Sequence, residues 1–208
     1  MNVINTRGFA GLFFGVSEWI FRVMYVHLLW VIFTILGLGI LGIMPATSAV
    51  FSVVRKWLMK EEDISILPFF YKTYKSSWKS SNLIGLVMLL IGGFLYLDIK
   101  ISQEFLKFAP LHIFLLILSF LFFMTCLYLF PVFSHYNLKP LQYIKQSFLL
   151  ALSQPLYTIS IFLWILCAYI IFIKIPVVYF FMGASILSLP IMWFSLMSFN
   201  KLAKKKIQ

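Results

Sequence analysis

Five long apolar runs divide the chain, at 19–43, 82–98, 111–134, 155–173 and 177–199. A helix needs about 20 apolar residues to cross a hydrocarbon layer roughly 30 Å thick. Backbone groups inside that layer have no water to bond, and the runs show no alternation of period two, so each run is predicted to be a helix. The sequence therefore predicts an all-α, polytopic membrane protein with about five transmembrane helices in a single domain, 1–208.

Two short amphipathic helices are predicted within 46–80, between the first two runs. The first carries its apolar residues at the spacing of one helical face, namely Val50, Phe51, Val54, Trp57 and Leu58. The second begins near Pro68, a residue type that suits a first helical turn. Its aromatic stripe runs beside three lysines, the stripe being Phe70, Tyr74 and Trp78 and the lysines Lys72, Lys75 and Lys79. Rings flanked by lysines are typical of helices at anionic lipid headgroups. A surface that binds another protein has the same composition, so both contacts stay open.

Composition agrees with membrane insertion. The chain is 62% hydrophobic and 11% charged, whereas about 25% of the residues in soluble domains are charged. The net charge of +11 comes from basic residues that adjoin the apolar runs, where the preference of Lys and Arg for the cytoplasmic side explains them, so no nucleic-acid binding is expected. Residues 1–18 are expected to lie along the membrane interface and 200–208 to form a basic tail. The first run is too long for a cleaved signal.

The distribution of basic residues predicts the orientation. If 46–80 is cytoplasmic, twelve basic residues lie inside: Arg55, Lys56, Lys60, Lys72, Lys75, Lys79, Lys139, Lys145, Lys201, Lys204, Lys205 and Lys206. Four lie outside: Arg7, Lys100, Lys107 and Lys174. The expected protein is thus a multi-pass protein of the cell membrane with its N-terminus outside and its C-terminus in the cytoplasm.

His27 is the candidate for chemistry inside the membrane. It lies within the first run, with Thr34 seven residues further on. An ionisable residue inside a transmembrane helix is a functional candidate, and a neutral histidine bonded to a neighbouring helix explains it equally well. The other four runs contain no Asp, Glu, Lys or Arg between their ends, which argues against a carrier driven by ions. The sequence has no phosphate-binding loop, metal motif or nucleophile elbow, and we expect no cofactor, no metal site and no catalytic residue. Cys126 and Cys167 are interpreted as packing residues.

Several short motifs resemble one family. They are His27-Leu28-Leu29-Trp30, Pro45-Ala46-Thr47-Ser48-Ala49, Arg55-Lys56-Trp57, Phe69-Phe70 and Tyr74-Lys75-Ser76-Ser77-Trp78-Lys79. In this order they resemble the YesL-like family of uncharacterised bacterial membrane proteins, in which Asn usually stands at the position of His27. The resemblance implies a small polytopic protein of the plasma membrane, often encoded among genes for carbohydrate ABC uptake and polysaccharide breakdown. It implies no reaction and no ligand.

The leading hypothesis is a non-enzymatic accessory component of carbohydrate uptake, whose partners are anionic lipid headgroups and an ABC transporter permease or another membrane protein. One alternative is a small channel or facilitator for a neutral solute, and a second is a membrane enzyme that acts on lipid or lipid-linked sugar. The candidate interaction or structural residues are His27, Pro45, Ala46, Thr47, Arg55, Lys56, Trp57, Phe70, Lys72, Tyr74, Lys75, Trp78 and Lys79.

Overall fold

The computed structural model describes residues 9–205, and these form seven α-helices and one π-helical turn. The helices are α1 (Phe9–Leu36), α2 (Ile40–Leu58), α3 (Ile66–Ile101), α4 (Ala109–His135), α5 (Pro140–Ser153), α6 (Pro155–Lys174) and α7 (Pro176–Lys205), and the π-helical turn is Ser102–Leu106. Five of them, α1, α3, α4, α6 and α7, are long and apolar enough to cross a membrane. The predicted all-α, polytopic architecture is therefore confirmed. Of the interfacial segment predicted at 1–18, residues 1–8 lie outside the described part, and the remainder begins α1.

The first span ends earlier than predicted, at Leu36 rather than at 43. Leu38 and Gly39 both have positive φ, 59° and 69°, which interrupts the helix. Gly42 then allows α2 to return close to α1, because a Cβ atom on Gly42 would lie 2.8 Å from the Cα of Thr34. Glycine fits both requirements, an unusual φ and a close backbone approach. The apolar residues 40–43 thus belong to α2.

The helix α2 runs antiparallel to α1 along most of its length. Trp57 near its end contacts Trp19, with ring centroids 5.4 Å apart, and Thr47 in its middle bonds Trp30. It also packs on α3, α4 and α7. Its apolar residues from Ala46 to Trp57 are buried, namely Ala46, Ala49, Val50, Phe51, Val53, Val54 and Trp57, whereas Ile40, Leu41 and Ile43 in its first turn are exposed. The helix predicted at 46–58 is therefore present but begins earlier, at Ile40, and its apolar residues face α1, α3, α4 and α7. This segment is the centre of the bundle, because small and apolar residues occupy more than one of its faces.

The second predicted amphipathic helix and the second span are one helix, α3. It has 36 residues and at a rise of 1.5 Å per residue is about 54 Å long, longer than the hydrocarbon layer is thick. Pro68 lies in its first turn, where the missing N–H has no intrahelical partner to lose. Ser80, Ser81 and Asn82 do not break the helix.

The C-terminal half contains three apolar helices and the shorter α5, which the sequence did not predict as a separate helix. Gln154 departs from helical geometry between α5 and α6, and Pro155 follows it. Tyr128 of α4 and Thr158 of α6 share a buried hydrogen bond of 3.2 Å between their hydroxyl groups. The outer faces of the helices are apolar and exposed, as lipid contact requires; Phe94, Leu156 and Phe180 are examples.

Candidate functional site

His27 connects α1 to α7 through both ring nitrogens. Nε2–H donates to the carbonyl oxygen of Phe180 over 2.9 Å, and the amide of Ala184 donates to Nδ1 over 3.1 Å. An Nδ1 that accepts and an Nε2 that donates describe the neutral imidazole. The side chain is 6% exposed. Of the two interpretations left open by the sequence, the geometry matches a histidine bonded to a neighbouring helix.

The Pro45-Ala46-Thr47 motif connects α2 to α1. The indole N–H of Trp30 donates to Thr47 Oγ1 over 3.1 Å, and Thr47 Oγ1 donates to the carbonyl of Ile43 over 2.7 Å. Pro45 and Ala46 are buried beside it. The imidazole of His27 also stacks on the Trp30 ring, with centroids 5.8 Å apart. Hydrogen bonds at His27 and Trp30, together with the stack between their rings, therefore join α1, α2 and α7.

Arg55, Lys56 and Trp57, candidates for either an interaction or a structural role, make contacts inside the protein. Lys56 forms an ion pair with Glu61, and Trp57 is buried against Trp19. Arg55 Nε donates to Nδ1 of His135 at the end of α4 over 3.2 Å. These residues therefore hold the end of α2 against its neighbours.

The surroundings of His135 are aromatic. The Phe199 ring of α7 lies 4.8 Å from the His135 ring and 5.3 Å from the Tyr136 ring, centroid to centroid. Burial raises the pKa of Tyr136 above its usual value, and a tyrosine hydroxyl is protonated at neutral pH even without such a shift. With Arg55 donating to His135, this cluster joins α2, α4 and α7 without an anionic group.

The aromatic stripe on α3 faces the core and not the headgroup layer. Phe70 is fully buried, and the Tyr74 hydroxyl donates to the carbonyl of Phe33 over 3.0 Å. Trp78 packs on Tyr74, with ring centroids 5.3 Å apart. The sequence left contact with headgroups and contact with another protein open for these rings, whereas Phe70 and Tyr74 face α1 and α2.

The lysines next to that stripe are exposed. Lys72, Lys75 and Lys79 lie on the surface, and their spacing of three and four residues places them on one side of α3. We call these three residues the lysine face. The sequence thus predicted the separation of rings from lysines correctly, although it left open what the rings contact.

A cavity of about 800 Å³ lies next to His27, between α1, α2, α4 and α7. Its wall is mainly apolar and includes Phe21, Leu28, Phe51, Phe130 and Leu187. The sequence did not reveal it, because four helices distant in the chain supply ordinary apolar residues. Among residues 9–205, no group of three His, Cys, Asp or Glu side chains could hold a metal ion.

Comparison with known proteins identifies the family. A family model described as "Protein of unknown function, DUF624" matches residues 23–99. The chain is 36% identical over 187 residues to "Uncharacterized protein YteU" of Bacillus subtilis (strain 168), a match that covers 87% of this chain and 82% of the relative. It is 31% identical over 191 residues to "Uncharacterized protein YesL" of the same strain, covering 90% of each.

The chain belongs to the YesL-like family. A third member, "Uncharacterized protein YesV" of the same strain, is 32% identical over 189 residues and covers 88% of this chain and 89% of its own. The family model begins within α1 and ends within α3, so it covers α2 and the clustered aromatic residues around it. No solved structure matches the chain. With five candidate spans, this family member is a multi-pass membrane protein.

Proposed function

We propose that this protein is a non-catalytic component that binds another membrane protein through the lysine face of α3. The observation that carries the proposal is the division of α3 into a buried aromatic side and an exposed cationic side. Phe70 and Tyr74 fix the helix in the bundle, so the three lysines are displayed by a rigid element. Such a surface suits an acidic partner surface, because charge complementarity favours association and specificity.

The polar groups in the bundle support binding rather than catalysis. His27 uses both ring nitrogens within the protein, and Thr47 and Trp30 bond to one another. Arg55 is bound to His135. A catalytic group needs a free atom aimed at a substrate, and these side chains are already engaged.

The partner that we propose is the permease of an ABC-type carbohydrate importer. The support for this class is the genetic context implied by the YesL-like family, namely genes for carbohydrate uptake and polysaccharide breakdown. Anionic headgroups are a second expected contact of the lysine face, since each lysine near such a surface contributes about 1 kcal/mol.

We further propose an orientation in the cell membrane with both termini in the cytoplasm. The expectation of an external N-terminus assumed that 46–80 stays on one side, whereas α2 returns along α1. Although α2 is not among the five candidate spans, its length of about 28 Å is enough for a sixth crossing. Arg7 then joins the cytoplasmic residues, which become thirteen against three, the three being Lys100, Lys107 and Lys174. This distribution fits the preference of basic residues for the cytoplasm better than the earlier one.

Charge reversal of the lysine face tests the proposed partner binding. We expect the triple variant Lys72→Glu, Lys75→Glu and Lys79→Glu to lose a membrane partner that co-purifies with the unmodified protein from native membranes. The matched control reverses the three basic residues of the other membrane side, Lys100, Lys107 and Lys174, and should keep the partner. Mass spectrometry identifies the bound protein. Retention of the same partner by both triple variants, at equal yield, would refute the assigned surface, and a partner other than a permease would refute the class.

A further inference from the structure

The cavity beside His27 has the depth of one membrane leaflet. Along α1 its wall extends from Phe21 to Val31, a rise of about 15 Å over ten residue steps, which is half of the roughly 30 Å hydrocarbon layer. Its volume of about 800 Å³ lies within the about 300–1,000 Å³ of small-molecule sites. A methylene takes up roughly the space of one water molecule, about 30 Å³, so a chain of sixteen carbons fits within the cavity.

The wall offers apolar contact and few free polar atoms. His27 and Trp30 both line the cavity, and their ring N–H groups donate inside the protein. Thr47 and Ser188, which also line it, donate their hydroxyl groups to backbone carbonyls. A polar ligand such as a sugar would lose its own hydrogen bonds to water and gain few here, which costs free energy. An alkyl chain forms no hydrogen bonds with water, so it loses none when it enters the cavity.

At the end formed by Phe21 and Tyr25 the cavity adjoins a polar opening. Both residues also line a second pocket, together with Arg22, Glu62 and Asp63. Arg22 forms an ion pair with Glu18 over 2.6 Å and approaches Glu62 within 4.0 Å. Within the described ranges Asp63 is in no ion pair, and it is exposed. The opening therefore carries an excess of negative charge beside an apolar space.

We propose that the cavity is a phospholipid site, with one acyl chain between α1, α2, α4 and α7 and the headgroup at the Arg22 opening. The exposed rings of Phe21 and Phe180 at the rim leave the cavity continuous with the lipid-facing surface, so a chain enters from the bilayer. The acidic opening selects a zwitterionic headgroup with a primary amine, as in phosphatidylethanolamine, over an anionic one. This inference is independent of the proposed partner binding.

The two cysteines provide a matched test of the chain site. Cys126 lines the cavity, whereas Cys167 is exposed on α6 and lies outside it. Full-length protein is purified from nanodiscs of equal phosphatidylethanolamine and phosphatidylglycerol, and native mass spectrometry counts the phospholipids retained. We expect the unmodified protein and Cys167→Phe each to retain one phospholipid. In Cys126→Phe the fraction of protein that carries a phospholipid should fall at least tenfold. If Cys126→Phe loses helical circular dichroism, Leu187→Phe, which narrows the cavity from α7, replaces it.

The headgroup is read from the same spectra. The retained lipid should be phosphatidylethanolamine, and the preference should vanish in the double variant Glu62→Gln and Asp63→Asn, while the number of lipids stays at one. The proposed site would be overturned if the unmodified protein is detected without a bound lipid, or if Cys126→Phe and Cys167→Phe lose the lipid equally. Retention of phosphatidylglycerol in preference to phosphatidylethanolamine would overturn the assigned opening.

Discussion

Replacing His27 by leucine removes both hydrogen bonds between α1 and α7 and fills the space of the imidazole with an apolar side chain of similar size. Hydrogen bonds between transmembrane helices contribute about 0.6 kcal/mol each on average and at most about 1.7 kcal/mol. We therefore expect His27→Leu to lower the free energy of unfolding by about 1–2 kcal/mol, a factor of about 5–30 in the folding equilibrium. His27→Asn should lose less, because a carboxamide also offers one donor and one acceptor to Phe180 and Ala184.

The measurement is equilibrium unfolding by sodium dodecyl sulfate in mixed micelles, followed by circular dichroism. Tryptophan fluorescence is unsuitable because Trp30 stacks on the substituted ring. His112→Leu is the control, since His112 lies in the first turns of α4 and its Nδ1 has no hydrogen-bond partner within the described residues. Equal stability of His27→Leu and the unmodified protein would refute the structural role. So would a His27→Asn variant that loses as much as His27→Leu.

Two further predictions concern the α1–α2 pair. In a background without native cysteines, Leu38→Cys should react with an impermeant maleimide from outside and Lys60→Cys should not, because these exposed positive-φ residues lie at opposite ends of α2; labelling of both or neither from outside would contradict the proposed orientation. Gly42→Ala should destabilise the protein by about 1–3 kcal/mol, since its methyl group would overlap Thr34. Gly93→Ala is the matched control: its methyl group would meet no neighbouring atom, so it should stabilise α3 by up to about 1 kcal/mol. A Gly42→Ala variant that is more stable than Gly93→Ala in detergent unfolding would disprove this packing argument.

The spans could be predicted because hydropathy is a local property of the chain. A run such as 111–134 contains no interrupting charge, and α4 occupies nearly the same residues. The division between Phe70 and the lysine face was also readable, since helical spacing alone separates the two sides. Helical spacing does not show whether lipid, water or protein covers the apolar side of a helix.

The position of α2 could not be predicted for that reason. Pro45, Arg55 and Lys56 lower its apolar character, so it resembles a helix at the membrane surface. Its burial arises from contacts with α1, α3, α4 and α7, all long-range in sequence except those with its direct neighbours. The same holds for His27, whose two bonds reach residues more than 150 positions away. A single sequence carries no record of such pairs.

The length of α3 has a mechanical consequence. Its 36 residues are helical without a break from the lysine face to the π-helical turn at Ser102–Leu106, and helices transmit tilt as stiff rods. Over about 54 Å, a tilt of about 10° moves the far end by about 9 Å. If a force on the lysine end tilts α3 together with the helices that hold it, the α3–α4 connection at the other end of the rod therefore moves as well, so a change at one end of the helix is carried to the other.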